Sequence, residues 1–197
     1  VYSESMQRLF ISLATLLAFA TSIGAQTNWY VDQSGNGDFL TIQEGIDASS
    51  DGDTVIVRDG VYPEHIQLNG RAITLRSENG AATTEITGVS PYGNVVTIQN
   101  GEGRDTVIQG FRIPGGSGTQ GVYVQFSSPT LDNLEVIGHS GRGIQIENAA
   151  PLLQNSLLES NTGGGVYSYL ASVEIEGCTF RSNSLLVANQ DGGALNI

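Results

Sequence analysis

Four glycines set the register of the C-terminal half of this chain. Gly121, Gly143, Gly165 and Gly193 are separated by 22, 22 and 28 residues. The residues between them align column by column. Val122, Ile144 and Val166 share one column, and Val124, Ile146 and Ser168 share another. Further along, Leu131, Leu153 and Ile175 align, as do Val136, Leu158 and Phe180. A fixed period of this size, with its length variation confined to one place, marks a solenoid. Between the apolar columns lie two polar ones, Tyr123/Gln145/Tyr167 and Asp132/Gln154/Glu176. Apolar and polar residues alternate within each short run, which is strand periodicity. One coil cannot bury its own apolar face, so stacking must build the core. The expected fold is all-β: a parallel β-helix of ~22-residue coils with a short N-terminal capping helix.

Two further columns fall at turns. Gly110, Asn133, Asn155 and Gly177 share one, and Asn and Gly are the residues that tolerate a left-handed bend. His139, Asn161 and Asn183 share the other, where amide side chains can hydrogen-bond from coil to coil. Upstream, Asn28–Asp32 reads as a first strand and Ser34–Gly37 as a turn. Thr41 and Glu44 have the spacing of a capping box. Ile42 and Ile46 share one face of the helix it opens, which ends near Ser49–Gly52. That helix is expected to cover the open end of the solenoid, where strand edges would otherwise be exposed. Further strands are read at 53–58, 66–68, 73–75, 85–87, 95–98, 106–109 and 111–113, with a turn at Asp59-Gly60.

The chain of 197 residues suits a single domain. Its net charge is −12, it contains no lysine, and its eight arginines are scattered. Nucleic-acid binding needs clustered cations, so that class is set aside. The single cysteine, Cys178, cannot form an internal disulfide; it follows Leu134 and Ser156 in a column and reads as a small buried hydrophobe. Residues 1–5 read as lying upstream of a start at Met6. Arg8, the apolar run Leu9–Ile23 and Gly24-Ala25-Gln26 have the layout of a secretory signal peptide, with cleavage expected near Ala25. A membrane anchor is the alternative. The mature domain is then 26–197, secreted or at the cell surface, and the lack of paired cysteines fits a bacterial export route.

Residues 30–64 resemble the opening of pectinesterases and of many proteins of the pectin-lyase-like superfamily. The resemblance is carried by Ser34-Gly-x-Gly-Asp-Phe39, Thr41-Ile-Gln-x-x-Ile-Asp47 and Asp59-Gly-x-Tyr-x-Glu64. Ile73–Gly80 followed by Glu85–Gly88 is similar to the second coil of that group. Phe180-Arg-Ser-Asn183 with Gly192-Gly-Ala-Leu195 looks like the repeats of bacterial polymorphic outer-membrane proteins. The resemblance implies a right-handed parallel β-helix, and it falls on scaffold segments rather than on a catalytic motif. The sequence ends as a new coil begins at Gly193-Ala-Leu-Asn-Ile197, with nothing resembling a C-terminal cap, so the domain is expected to be truncated there, and anchoring in the outer membrane or cell surface would lie beyond.

Pectinesterase-like chemistry would need two facing aspartates with an arginine and a glutamine. The nearest material is Arg104-Asp105 and Asp132, in no matching motif. Polygalacturonase-like chemistry would need paired carboxylates and a Gly-His-Gly turn, of which Gly138-His139-Ser140-Gly141 is a partial echo; His139 reads as a turn residue. A lyase-like Ca²⁺ site would draw on Asp132, Glu135 and Glu176, with Arg112 one coil below Glu135; the plainer reading of these groups is a solvated, charge-balanced surface. Asp32-x-Ser34-x-Asn36-Gly37 mimics half a calcium loop, but the twelfth position holds Gln43. No cofactor is expected, with Ca²⁺ the one candidate. Tyr123 and Tyr167 are expected to point outward about 10 Å apart at two strand spacings. Gln145 stands between them, and Gln125, Glu147 and Tyr169 run alongside. Rings flanked by hydrogen-bonding groups suit a sugar chain, although sheets also favour Tyr for its own sake. The function expected is an exported β-helix that binds polysaccharide or a surface partner through its outward faces. The alternative is the N-terminal part of a pectate-lyase-like, polygalacturonase-like or pectinesterase-like enzyme.

Overall fold

The computed structural model describes residues 25–89, 93–115, 119–184, 187–190 and 195–196. The signal-peptide segment as far as Gly24, and Gly192-Gly193-Ala194 of the last repeat, lie outside the described residues. The chain enters with β1 (Asn28–Val31) and α1 (Ile42–Ala48) and then repeats one circuit. The first coil is β2 (Thr54–Val57), β3 (Gly60–Tyr62) and β4 (Ile66–Gln67). The second is β5 (Thr74–Ser77), β6 (Thr84–Ile86) and β7 (Gly93–Ile98), and the third is β8 (Val107–Gln109), β9 (Arg112–Pro114) and β10 (Thr119–Gln125). The fourth is β11 (Thr130–Asp132), β12 (Glu135–Ile137) and β13 (Ile144–Glu147), and the fifth is β14 (Leu152–Gln154), β15 (Leu157–Glu159) and β16 (Val166–Tyr169). The sixth is β17 (Val173–Glu176), β18 (Thr179–Arg181) and β19 (Val187–Gln190), after which β20 (Leu195–Asn196) opens another.

Strands of successive coils pair in parallel and form three sheets of eight, six and six strands. The first sheet runs β1-β2-β5-β8-β11-β14-β17-β20, the second β3 to β18, and the third β4 to β19. The register follows the sequence columns: Val122 opposes Ile144 and Ile144 opposes Val166, while Leu131 opposes Leu153 and Leu153 opposes Ile175. Leu75, Ile108, Leu131 and Leu153 are fully buried in one interior row. Each such side chain contributes about 1.5–3 kcal/mol of apolar burial. Stacked rows therefore make one continuous core from coils that have none singly.

The corners obey the predicted backbone. Gly110, Asn133, Asn155 and Gly177 all have positive φ, at 78°, 50°, 51° and 60°. The second turn column is a hydrogen-bonded ladder. The His139 amide donates to Asn161 Oδ1 and the Asn161 amide to Asn183 Oδ1, at 3.0 and 2.9 Å. Asn161 Nδ2 donates to Val136 O and Asn183 Nδ2 to Leu158 O, at 3.0 and 2.8 Å. The leading glycines make room for this ladder: a Cβ at Gly143 would stand 2.7 Å from Gly165 O and 2.9 Å from Asn161 Nδ2.

The N-terminal helix caps as expected, with both halves of the Thr41–Glu44 capping box formed and Ile42 and Ile46 fully buried. The stretches Thr41–Asp47 and Asp59–Glu64, which resemble pectinesterase motifs, build this cap. Glu64 accepts from the Ile42 and Gln43 amides at 2.9 and 3.0 Å, satisfying the first turn of α1. The Gln43 side chain takes the place of a strand beside β4: it accepts from the Gln67 amide and donates to the Gln67 carbonyl. An edge that would otherwise be open is thereby closed. Tyr62, fully buried, donates to Arg58 O at 3.0 Å. One element differs from the sequence reading. Gly60 opens β3, paired with β6, rather than completing a turn. A glycine followed by a short apolar run carries no alternation, so only the neighbouring coil reveals that strand.

Candidate functional site

The outward face of the third sheet brings together the residues singled out from the repeats. Tyr123, Gln145 and Tyr167 are in register on β10, β13 and β16, with Gln125, Glu147 and Tyr169 two positions on. Glu147 is the hub. Its Oε2 accepts from the Tyr123 hydroxyl at 3.0 Å and from Gln125 Nε2 at 3.2 Å, and its Oε1 accepts from Gln145 Nε2. Burial and the hydrogen bond to the Glu147 carboxylate push the Tyr123 hydroxyl up to about 12. Tyr123 is therefore a neutral donor at any physiological pH.

Two features of this face differ from a plain row of exposed rings. Gln145 is only 9% exposed, and its Oε1 accepts no hydrogen bond. Tyr167 is covered by Arg142, whose guanidinium carbon lies 3.4 Å from the ring centroid. Such a stacked cation is worth about 0.5–2 kcal/mol depending on solvation. Arg142, like Arg76, takes part in no ion pair among the described residues, whereas Arg58, Arg71, Arg104, Arg112 and Arg181 all do. Sequence reasoning missed Arg142, because a lone arginine in a turn carries no periodic signal. Gln120, at the start of β10 and outside the repeat columns, was missed as well; its buried Oε1 also accepts no hydrogen bond.

The acidic candidates are dispersed. Asp132 lies on the first sheet and accepts from Gln109 Nε2 at 2.8 Å and Asn155 Nδ2 at 2.9 Å. Glu135 lies on the second sheet, 3.9 Å from Arg112 Nε, while Arg112 pairs more closely with Glu85 at 2.7 Å. Glu176 is exposed on β17, two strands from β11. Among the described residues no group of three or more Asp, Glu, His or Cys is placed to hold a metal ion. In the Asp32 loop the carboxylate is engaged: its Oδ1 accepts from the Ser34 amide and hydroxyl, and its Oδ2 pairs with Arg58 at 2.9 Å. These bonds hold Asp32 below the usual carboxylate range.

Arg104 pairs with Glu174 at 2.9 Å, away from Asp132. His139 is fully buried in its turn, with Nε2 3.0 Å from Ile113 O. Cys178 is half-buried against the core, its Sγ 3.5 Å from Leu153 O, and burial pushes its thiol up.

The chain matches the family model described as "Right handed beta helix region" over residues 45–196. It is 35% identical over 86 residues to a probable pectinesterase/pectinesterase inhibitor 17 of Arabidopsis thaliana, an overlap of 43% of this chain and 17% of that protein. In fold it is similar to the pectin methylesterase from carrot, with a TM-score of 0.50 and 14% identity, over 78% of this chain and 65% of that one. Pectin methylesterase PemA from Erwinia chrysanthemi aligns with a TM-score of 0.49 and 12% identity, over 80% and 66%. The chain thus spans about a sixth of the plant relative and less than two thirds of the carrot enzyme. Parallel coils in three sheets, the predicted corner residues and the family match over most of the chain lead to one conclusion: this protein belongs to the right-handed β-helix family, with a pectin-lyase-like fold.

Proposed function

We propose that this protein is an exported β-helix that binds polysaccharide along the outward face of its third sheet. One observation carries the reading. Gln145, more than nine-tenths buried between two tyrosines, has a carbonyl oxygen that accepts no hydrogen bond. A buried acceptor left unsatisfied costs about 1–3 kcal/mol. Around it stand Tyr123, Gln125 and Glu147, already locked to one another, and Arg142, which lies on the Tyr167 ring and is in no ion pair among the described residues. In this reading the ligand displaces Arg142 from Tyr167: a sugar hydroxyl then supplies the missing donor, and the uncovered ring takes the apolar face of a pyranose. Export is supported by Arg8 followed by the apolar run Leu9–Ile23.

The test is retardation in native gels loaded with polysaccharide. The full chain should be retarded, and Tyr123→Ala with Tyr167→Ala should lose that retardation while keeping a cooperative melt. Unchanged mobility of the folded double variant sinks the proposal.

The pectinesterase relative favours a second reading, a polysaccharide-degrading enzyme of which this is a part. Pectinesterase-like chemistry would need a second aspartate facing Asp132; Asp105 lies in the turn before β8 rather than on a strand, and both oxygens of Asp132 are engaged. Release of methanol from methyl-esterified pectin by this chain would establish the enzyme reading in place of simple binding.

A further inference from the structure

Phe126, Asn148 and Leu170 stand 22 residues apart at the corner that follows the third sheet, and their φ angles are 50°, 49° and 49°. Backbone bonds fix them as one column, because the Phe126 amide donates to Glu147 O and the Asn148 amide to Tyr169 O. Asparagine suits a left-handed position; a bulky side chain there is strained. The left-handed positions after the first sheet are Gly110, Asn133, Asn155 and Gly177, and those after the second are Gly138, Ser160 and Ser182, all small or polar. After the third sheet the chain uses Phe and Leu, and both project into solvent, 61% and 47% exposed. More than half of Phe126 and nearly half of Leu170 stays in solvent, so burial offsets the strain only in part. Leu40, Val61 and Val89 are exposed as well, at positions outside this corner column. Phe126 and Leu170 directly follow Gln125 and Tyr169, so the strained pair continues the polar-aromatic face around its edge. They are two coils apart, about 10 Å. Backbone strain that folding does not require points to function.

We infer that Phe126 and Leu170 are sugar-stacking residues that extend the binding face, and that its ligand is an uncharged pyranose chain with equatorial hydroxyls. The inference rests on the proposed glycan-binding reading. The spacing matches a step of two sugars along an extended chain, whose flat C–H faces pack on apolar side chains and need no charge. A net charge of −12, with five arginines of the described residues held in ion pairs, repels a polyanion.

The experiment compares the full chain with Phe126→Asn/Leu170→Asn in gels containing hydroxyethylcellulose or polygalacturonate, alongside thermal melts. The expected result is retardation of the wild type by the neutral polymer, weakened about tenfold or more in the variant, the scale of a lost anchor contact. The variant's melting temperature should hold or rise by about 2–4 °C as the strain is relieved. Phe126→Trp, which keeps a ring, should retain binding. Equal retardation of variant and wild type overturns the inference and leaves the broader reading standing. A variant that melts lower makes the pair structural and also overturns it. Retardation only by polygalacturonate overturns the ligand class. No retardation of the wild type by any polysaccharide overturns the underlying reading as well.

Discussion

Glu102→Gln tests how the coils are held together. Glu102 is 3% exposed in the loop between β7 and β8. Its Oε1 accepts from the Gly70 amide at 2.9 Å, and its Oε2 accepts from the Asn100 amide and the Ser127 hydroxyl, both at 2.7 Å. Gly70, Asn100 and Ser127 follow β4, β7 and β10, so one carboxylate joins three successive coils. Glutamine fills the same space but presents an NH₂ to one of these donors. One buried donor is then orphaned, at about 1–3 kcal/mol, and the remaining bonds lose their charge assistance. The sum is about 2–4 kcal/mol, a fall in melting temperature of roughly 4–16 °C for a domain of this size.

The pH dependence supplies a second readout. Burial alone would raise the Glu102 pKa, but the hydrogen bonds from Ser127 and from the backbone amides outweigh it and hold the group below the usual range. A carboxylate lowered in the folded state stabilises fully above its unfolded pKa of about 4.3, and that stability is lost as pH falls through the folded value. Differential scanning calorimetry should therefore find a constant gap between wild type and variant from pH 7 to about 5, closing at lower pH. A variant that melts with the wild type at pH 7, or a gap that persists unchanged at pH 2, would refute the reasoning.

Asn161→Ala removes the acceptor of the His139 amide and the donor to Val136 O and Asn183 Oδ1. A loss of about 2–4 kcal/mol is expected in urea unfolding. Asn161→Asp keeps the acceptor but sets a carboxylate against those carbonyls, so its stability should recover toward acid pH. Tyr123, with its hydroxyl pushed up to about 12, should stay protonated where exposed tyrosines ionise. Its raised folded pKa stabilises the protein fully below the unfolded value near 10, and that contribution disappears as pH rises toward the folded one. Burial raises the fully buried Tyr62 as well, so spectrophotometric titration at 295 nm should show a late rise from both tyrosines, from which Tyr123→Phe removes one tyrosine's share.

The solenoid was legible because each of its rules repeats. Strand alternation, the 22-residue register, the left-handed corner at Asn133 and Asn155, and the Asn161–Asn183 ladder recur in sequence as columns, since each coil meets the same neighbours as the one before. The capping helix was legible from the local chemistry of Thr41 and Glu44, which needs only residues three apart. β3 was not legible, because a three-residue strand draws its identity from β6 beside it.

The candidate site divides in the same way. The sequence by itself determined that Tyr123, Gln145 and Tyr167 stack in one outward column with Gln125, Glu147 and Tyr169 beside them, because parallel pairing at a fixed period leaves no other register. Only the tertiary structure decided that Glu147 gathers three donors, that Arg142 lies on Tyr167, and that Gln145 keeps an unsatisfied oxygen. Only the tertiary structure, again, exposed Phe126 and Leu170 on strained backbone. The physical reason is that periodicity fixes which side chains are neighbours, whereas rotamers, turn conformations and hydrogen-bond partners are settled by the space those neighbours leave.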